Sequence, residues 1–130
     1  GLKECFGRDP LLITLLFTLN ELYASSIAST TAFLLSLTAA AAKASLLLVV
    51  DSPGSYSEAL VGKEDKKYPM RWLLDRTLLG PNGSARGGED EPRWEKLVAD
   101  ESRWFRVPDE LKYPISLENM RYQIHLFRRL

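Results

Sequence analysis

The segment Ser45-Leu46-Leu47-Leu48-Val49-Val50-Asp51-Ser52-Pro53-Gly54-Ser55-Tyr56 constrains the fold more than any other part of the chain. A run of leucine and valine stops at an acid and passes directly into turn residues. Runs of roughly 4–8 apolar residues closed by turns suit strands buried on both faces of a parallel sheet. In open α/β sheets the ligand site lies beyond the carboxyl ends of such strands, so Asp51 to Tyr56 stand where chemistry is expected. The pattern occurs again upstream, where Leu11-Leu12-Ile13-Thr14-Leu15-Leu16-Phe17 leads into Thr18-Leu19-Asn20-Glu21-Leu22-Tyr23. Two apolar strands, each followed by an acid, point to an enzyme-type α/β unit.

Between the two runs, Ser25 or Ser26 suits a helix N-cap. Ile27, Thr31, Leu34, Leu35, Thr38 and Ala42 follow at helical spacing, with Lys43 in the last turn. A helix between two apolar strands is a βαβ unit, which predicts parallel strands with a right-handed crossover. Pro69 suits the first turn of a second helix that presents Met70, Leu73, Leu74, Thr77 and Leu78 inward and closes at Gly80. Residues 80–91 have the composition of a loop dispensable for folding; their glycines lack the Lys-Ser/Thr ending of a phosphate loop. A third helix is predicted from Pro92 to about Asp100 with Trp94, Leu97 and Val98 inward, then a short strand Trp104–Val107 stopped by Pro108. Arg121–Phe127 reads as the last strand, antiparallel to its predecessor because no long crossover separates them. Trp72, Trp94 and Trp104 are most simply core, and His125 a sheet residue rather than a base.

Composition narrows the classes. At 130 residues and 45% hydrophobic, the chain can bury a core. Its 17 basic and 17 acidic residues cancel, so net charge lends no support to phosphate binding. The single Cys5 forms no internal disulfide, no Cys/His spacing suggests a metal, and a reducing compartment is the default. Glu21 and Lys43 are the only charges between Leu11 and Val50, but Asn20-Glu21, the Ser25–Thr31 cluster and Lys43 break that stretch below the roughly 20 apolar residues a span needs. No membrane partner is expected.

Several blocks resemble the C-terminal half of a fungal methyltransferase family. They are Phe17–Tyr23, Leu47–Glu58, Lys67–Leu74, Ser102–Arg106 and Tyr113–His125, and the resemblance runs from about Pro10 to the end of the chain, excepting residues 80–91. That family modifies large-subunit ribosomal RNA at N3 of a uridine, using S-adenosylmethionine. The resemblance implies an α/β fold, the C-terminal half of a Rossmann-like class I methyltransferase sheet. Two parallel strands with a crossover helix would be joined by a terminal antiparallel strand pair, and residues 1–130 would form a single partial domain. It further implies ribosomal RNA or a pre-ribosome as partner, in the nucleus, nucleolus or cytoplasm, together with an N-terminal half of the same domain. The glycine-rich loop and acid that hold the cofactor in such enzymes do not occur in these residues, so the 130 residues alone are expected to bind S-adenosylmethionine poorly.

N3 of neutral uridine carries a proton, so its methylation calls for a base or for stabilisation of the deprotonated ring. Asp51 and Glu21, at the two strand ends, are the catalytic candidates; alternatively each caps a neighbouring helix or turn. Asn20 would hold a base edge or, with Leu19, the amino-acid end of the cofactor; alternatively it only stabilises the turn. Ser52, Pro53, Gly54 and Ser55 would permit close backbone approach to substrate, and Tyr56 would stack on the target base or, on the simpler reading, anchor the turn against the sheet. Other readings are a Rossmann-like methyltransferase with another target, or a non-catalytic binding module. A strand followed by a glycine loop, encoded upstream, separates the enzyme readings from the last.

Overall fold

The structure, a computed structural model, describes residues 1–53, 58–61, 66–80 and 93–130. A short helix α1 (Leu2–Phe6) precedes strand β1 (Leu12–Leu16), helix α2 (Leu19–Ser25), helix α3 (Ile27–Ala40) and strand β2 (Leu46–Asp51). Then come the hairpin β3 (Glu58–Val61) and β4 (Lys66–Pro69), helix α4 (Met70–Leu79), and strands β5 (Trp94–Phe105) and β6 (Met120–Arg129). The main sheet runs β1-β2-β6-β5, and β3-β4 form a separate ribbon.

The two apolar runs are parallel neighbours, from Leu12 opposite Leu46 to Leu16 opposite Val50. On the other side β2 pairs antiparallel with β6, from Leu46 opposite Arg128 to Asp51 opposite Gln123. The sheet is thus mixed, consistent with part of a Rossmann-like methyltransferase fold. Leu47, Val49 and Phe127 project from one face into a core with Leu19 and Tyr23 of α2, Leu34 and Leu37 of α3, and Met70, Leu74 and Leu78 of α4. The expected burial of the apolar strands on both faces is met on this face alone. On the other, Leu12 and Leu16 remain 63% and 52% exposed. β1 has no second partner strand among the described residues.

Ser26 caps α3, its Oγ accepting the Ser29 N–H at 3.1 Å. The helix ends at Ala40, so Lys43 lies beyond the last turn rather than in it. Ala44 takes a positive φ of 70° and donates its N–H to the Arg129 carbonyl, so pairing with β6 turns the chain before a longer helix can form. Thr31 and Leu35 point away from the core, which takes Thr30 and Leu37 instead. The second helix agrees with expectation, its buried side being Met70, Leu73, Leu74 and Leu78. The loop assigned to residues 80–91 falls almost wholly outside the described residues.

The third helix is absent. Of the residues predicted as helix, Trp94 to Asp100 join Trp104 and Phe105 of the predicted short strand in one long strand, β5. The spacing Trp94, Leu97, Val98 suits a helix turn but equally a strand with an extra residue. Register shifts lie between Lys96 and Val98 and between Asp100 and Arg103, and the first leaves Leu97 unpaired and 44% exposed. Pairing with β6 outweighs the local helical pattern. Trp94 anchors the start of β5, 1% exposed, with its indole N–H donating to Thr38 Oγ1 at 2.8 Å. Trp72 and Trp104, expected in the core, are 42% and 47% exposed.

This contrast sets the first prediction. Trp94→Ala should cost about 3–5 kcal/mol, because it removes a fully packed ring and the indole N–H that donates to Thr38 Oγ1. Trp72→Ala, which loses a surface stack on Tyr68 and the Arg76 guanidinium over its ring, should cost about 1 kcal/mol. Urea unfolding of both variants checks this, and equal losses would contradict the assignment of the core.

Candidate active site

The functional cluster forms at the carboxyl edge of β1 and β2, as the strand ends require. α2 begins two residues after β1, and its first N–H groups have no helical acceptors. Thr18 stands at the N-cap, but its hydroxyl donates to the Leu16 carbonyl at 2.8 Å and caps nothing. Asp51, reaching over from β2, takes that place. Its Oδ2 accepts the Asn20 N–H at 3.0 Å, while Oδ1 accepts Asn20 Nδ2 and the Ser52 N–H, both at 2.9 Å. Asp51 is 3% exposed, and these three donors are what makes a buried carboxylate tolerable there.

The network continues across the sheet. Gln123 Nε2 donates to the Ser52 carbonyl at 2.7 Å, and Gln123 Oε1 lies 2.8 Å from His125 Nε2. With the Gln123 amide nitrogen committed to Ser52, its oxygen is the acceptor, so the hydrogen-bond pattern assigns the His125 proton to Nε2. His125 is fully buried, and desolvation lowers its pKa below the usual value. Among the charges around it, Asp75 and Glu101 oppose that shift, while Lys96 and Arg71 add to it. Two acceptors in this region, Asn20 Oδ1 and His125 Nδ1, are buried without a hydrogen-bond partner among the described residues.

The structure therefore brings Asn20, Asp51 and Ser52 into one cluster, with half-buried Pro53 next in line. Glu21 follows Asn20 on the first turn of α2 and is solvent-exposed. Leu19 belongs to the core and is 0% exposed, so its side chain lines no ligand site. Gly54, Ser55 and Tyr56 lie outside the described residues. Sequence reasoning missed Gln123, whose signal was the antiparallel register that sets it opposite Asp51. It also missed Phe17, a bulky residue held at a left-handed φ of 54° between β1 and α2 and 48% exposed. Such conformations persist where the surroundings over-determine them, often at functional edges. Here the Phe17 N–H is held by the Val50 carbonyl at 2.7 Å. A groove of about 760 Å³ between α3 and α4, lined by Ile27, Leu35, Trp72 and Arg76 among others, contains none of the candidate residues. Among the described residues no His, Cys, Asp and Glu side chains gather as a metal site, and no helix is long and apolar enough to cross a membrane.

Comparison with known proteins bears on this edge. A family described as "Putative SAM-dependent methyltransferase" matches residues 1–128. A 25S rRNA (uridine(2843)-N(3))-methyltransferase of Saccharomyces cerevisiae is 37% identical over 116 residues, covering 89% of this chain and 30% of that protein. The chain thus spans less than a third of the length of this curated relative. No solved structure matches the chain.

His125 generates a pH prediction. Its folded-state pKa lies below the unfolded value of 6.5, so the folded protein holds this site neutral while the unfolded chain takes up a proton. The resulting stability is complete above about pH 6.5 and is lost as the pH falls from there toward the lowered folded value. The melting temperature should drop as the pH falls below about 6.5, and His125→Gln should flatten that drop. Parallel profiles for the two proteins would contradict it.

Proposed function

The chain belongs to this family of SAM-dependent methyltransferases, and we propose that residues 1–130 are the substrate-side, C-terminal part of an enzyme that methylates N3 of a uridine in large-subunit ribosomal RNA. The observation that carries the substrate is the 37% identity to a protein named for that reaction. The geometry supports the placement: the candidate residues cluster at the carboxyl ends of β1 and β2, where ligands of open α/β sheets sit. Under this reading the partners are ribosomal RNA or a pre-ribosome and the remainder of the methyltransferase domain. The compartment is the nucleus, nucleolus or cytoplasm.

S-adenosylmethionine, the cofactor of the family, supplies an electrophilic methyl group when bound. The residues present fit only its rim. Asn20 Oδ1, a buried acceptor without a partner among the described residues, suits a donor such as the cofactor's amino group or the edge of a base. No Gly-x-Gly occurs anywhere in the sequence to cradle an adenosine.

The two acids divide the work. Asp51, with both oxygens engaged, holds the start of α2 against the end of β2 and so positions Asn20 and Glu21. Glu21 is solvent-exposed and one residue farther along, free to meet a substrate entering at this edge. It would take the N3 proton of the uridine, so that the N3 lone pair could bond to the methyl carbon as the carbon–sulfur bond of the cofactor breaks and its electrons return to the thioether sulfur. Ser52 and Pro53, with Gly54, Ser55 and Tyr56 beyond them, would line the approach of the base.

In the complete enzyme, Glu21→Gln should slow methyl transfer about 10²–10⁴-fold at saturating cofactor, with an unchanged melting temperature. Asp51→Asn should instead lower stability by about 1–3 kcal/mol, because its new amide faces donors. A near-normal rate for Glu21→Gln would eliminate it as the base. A slowed Asp51→Asn with full stability would transfer that role to Asp51. Mass-spectrometric mapping of ribosomal RNA methyl groups, with the gene present and deleted, tests the substrate itself.

A further inference from the structure

The end of the β5–β6 ladder extends past β2. Pairing of β2 with β6 stops at Asp51 opposite Gln123, whereas β5 and β6 continue through Arg103–Tyr122, Trp104–Arg121 and Phe105–Met120. This arm therefore overhangs the edge where Asp51, Asn20 and Ser52 gather. Side chains alternate along a strand, so Arg121 projects from the same face as Gln123 and His125. Its cross-strand partner Trp104 shares that face. The row lies two residues, roughly 7 Å, beyond the row containing Asp51.

Trp104 is 47% exposed and has two guanidiniums against its ring, Arg106 at 4.9 Å and Arg121 at 5.1 Å from the centroid. Among the described residues neither arginine forms an ion pair, although the neighbouring Arg103 is paired with Asp100. An indole holding two unpaired guanidiniums preorganises donors whose planar forks match phosphate oxygens. The same group offers the stacking faces that unpaired bases use, since aromatic rings and arginine planes are the usual platforms for single-stranded RNA. In a chain with no net charge, this is a local basic, aromatic cluster continuous with the candidate active site.

We infer that the Trp104–Arg106–Arg121 cluster is an RNA contact that grips single-stranded nucleotides flanking the target base as that base enters the Asp51–Ser52 edge. The inference rests on the RNA-methylation reading and adds to it a surface and a ligand: phosphate at the two guanidiniums and a base stacked on the cluster. The alternative occupant, another part of the protein packed against the exposed arm, is an outcome of the test.

The test uses the full-length enzyme and a short single-stranded RNA with a central uridine. Trp104→Ala should weaken RNA binding roughly tenfold to hundredfold, and Trp104→Phe should restore most of the loss by keeping a stacking face. The double variant Arg106→Gln, Arg121→Gln should reduce the slope of log K against log salt by about 1.4, near 0.7 for each lost phosphate contact. Affinity for S-adenosylmethionine and the melting temperature should be unchanged in all three. Unaltered RNA affinity in Trp104→Ala, beside a wild type that binds and methylates RNA, overturns this inference alone. Loss of RNA binding together with a lower melting temperature or weaker cofactor binding shows the arm packing on protein, and also overturns it. A wild-type enzyme that neither binds nor methylates RNA overturns both this inference and the RNA-methylation reading.

Discussion

The buried carboxylate of Asp51 is the tie on which the ligand edge depends. A charge that is 3% exposed must be met by donors, and every donor it has belongs to the chain segments at this edge. Two come from Asn20 at the start of α2 and one from Ser52 as the chain leaves β2. The tie therefore joins the end of one parallel strand to the beginning of the helix that follows the other. Without it the first turn of α2 would lack its cap, since the Thr18 hydroxyl is directed backward to Leu16. Gln123 extends the tie to the antiparallel strand through the Ser52 carbonyl. Two strands and a helix thus meet in one hydrogen-bonded group, whose geometry is set before any ligand arrives.

That arrangement explains why the more polar face of β6 is the buried one. Tyr122, Ile124 and Leu126 would suit a core, yet Gln123, His125 and Phe127 occupy it. The antiparallel register leaves no choice. Leu47 and Val49 must face the helices, so their partners Phe127 and His125 face them too, and Gln123 follows opposite Asp51. Burial of Gln123 and His125 is tolerated because they bond to one another and to Ser52. The other sheet face carries Leu12, Leu16, Leu48 and Val50 with much of their surface exposed or half-exposed. The apolar character of both faces suits a strand pair buried on both sides, and β1 has an open edge at which further strands can pair.

Much of this was legible in the residues themselves. The two apolar runs, their parallel pairing, the Ser26 cap, the α4 face and the terminal antiparallel strand all follow from local patterns that tertiary contacts reinforce. The edge on which Asn20, Asp51 and Ser52 converge followed from the strand ends. What was hidden depends on long-range pairing. Trp94, Leu97 and Val98 satisfy helical spacing and bulged-strand spacing equally, and only β6 decides between them. Trp72 and Trp104 look like core by composition, yet each lies on a surface where an arginine packs against its ring. Gln123 carries no signal of its own, because its role appears only once the register sets it beside Asp51.

The two acids that look alike in sequence are separated by burial. Both follow apolar strands, and either could be named as a base on position alone. A base must present a free lone pair where the proton will be, and it must lose and regain that proton without disturbing the fold. Asp51 has three donors on its two oxygens, so both are committed to the bonds that hold α2 and the chain after β2. Glu21 has solvent around it and stands on the turn that Asp51 secures. On the proposed reading, this geometry makes Asp51 a positioning residue and Glu21 the base. The buried acid is tied through both oxygens and well placed to hold; the exposed one stands clear of that tie.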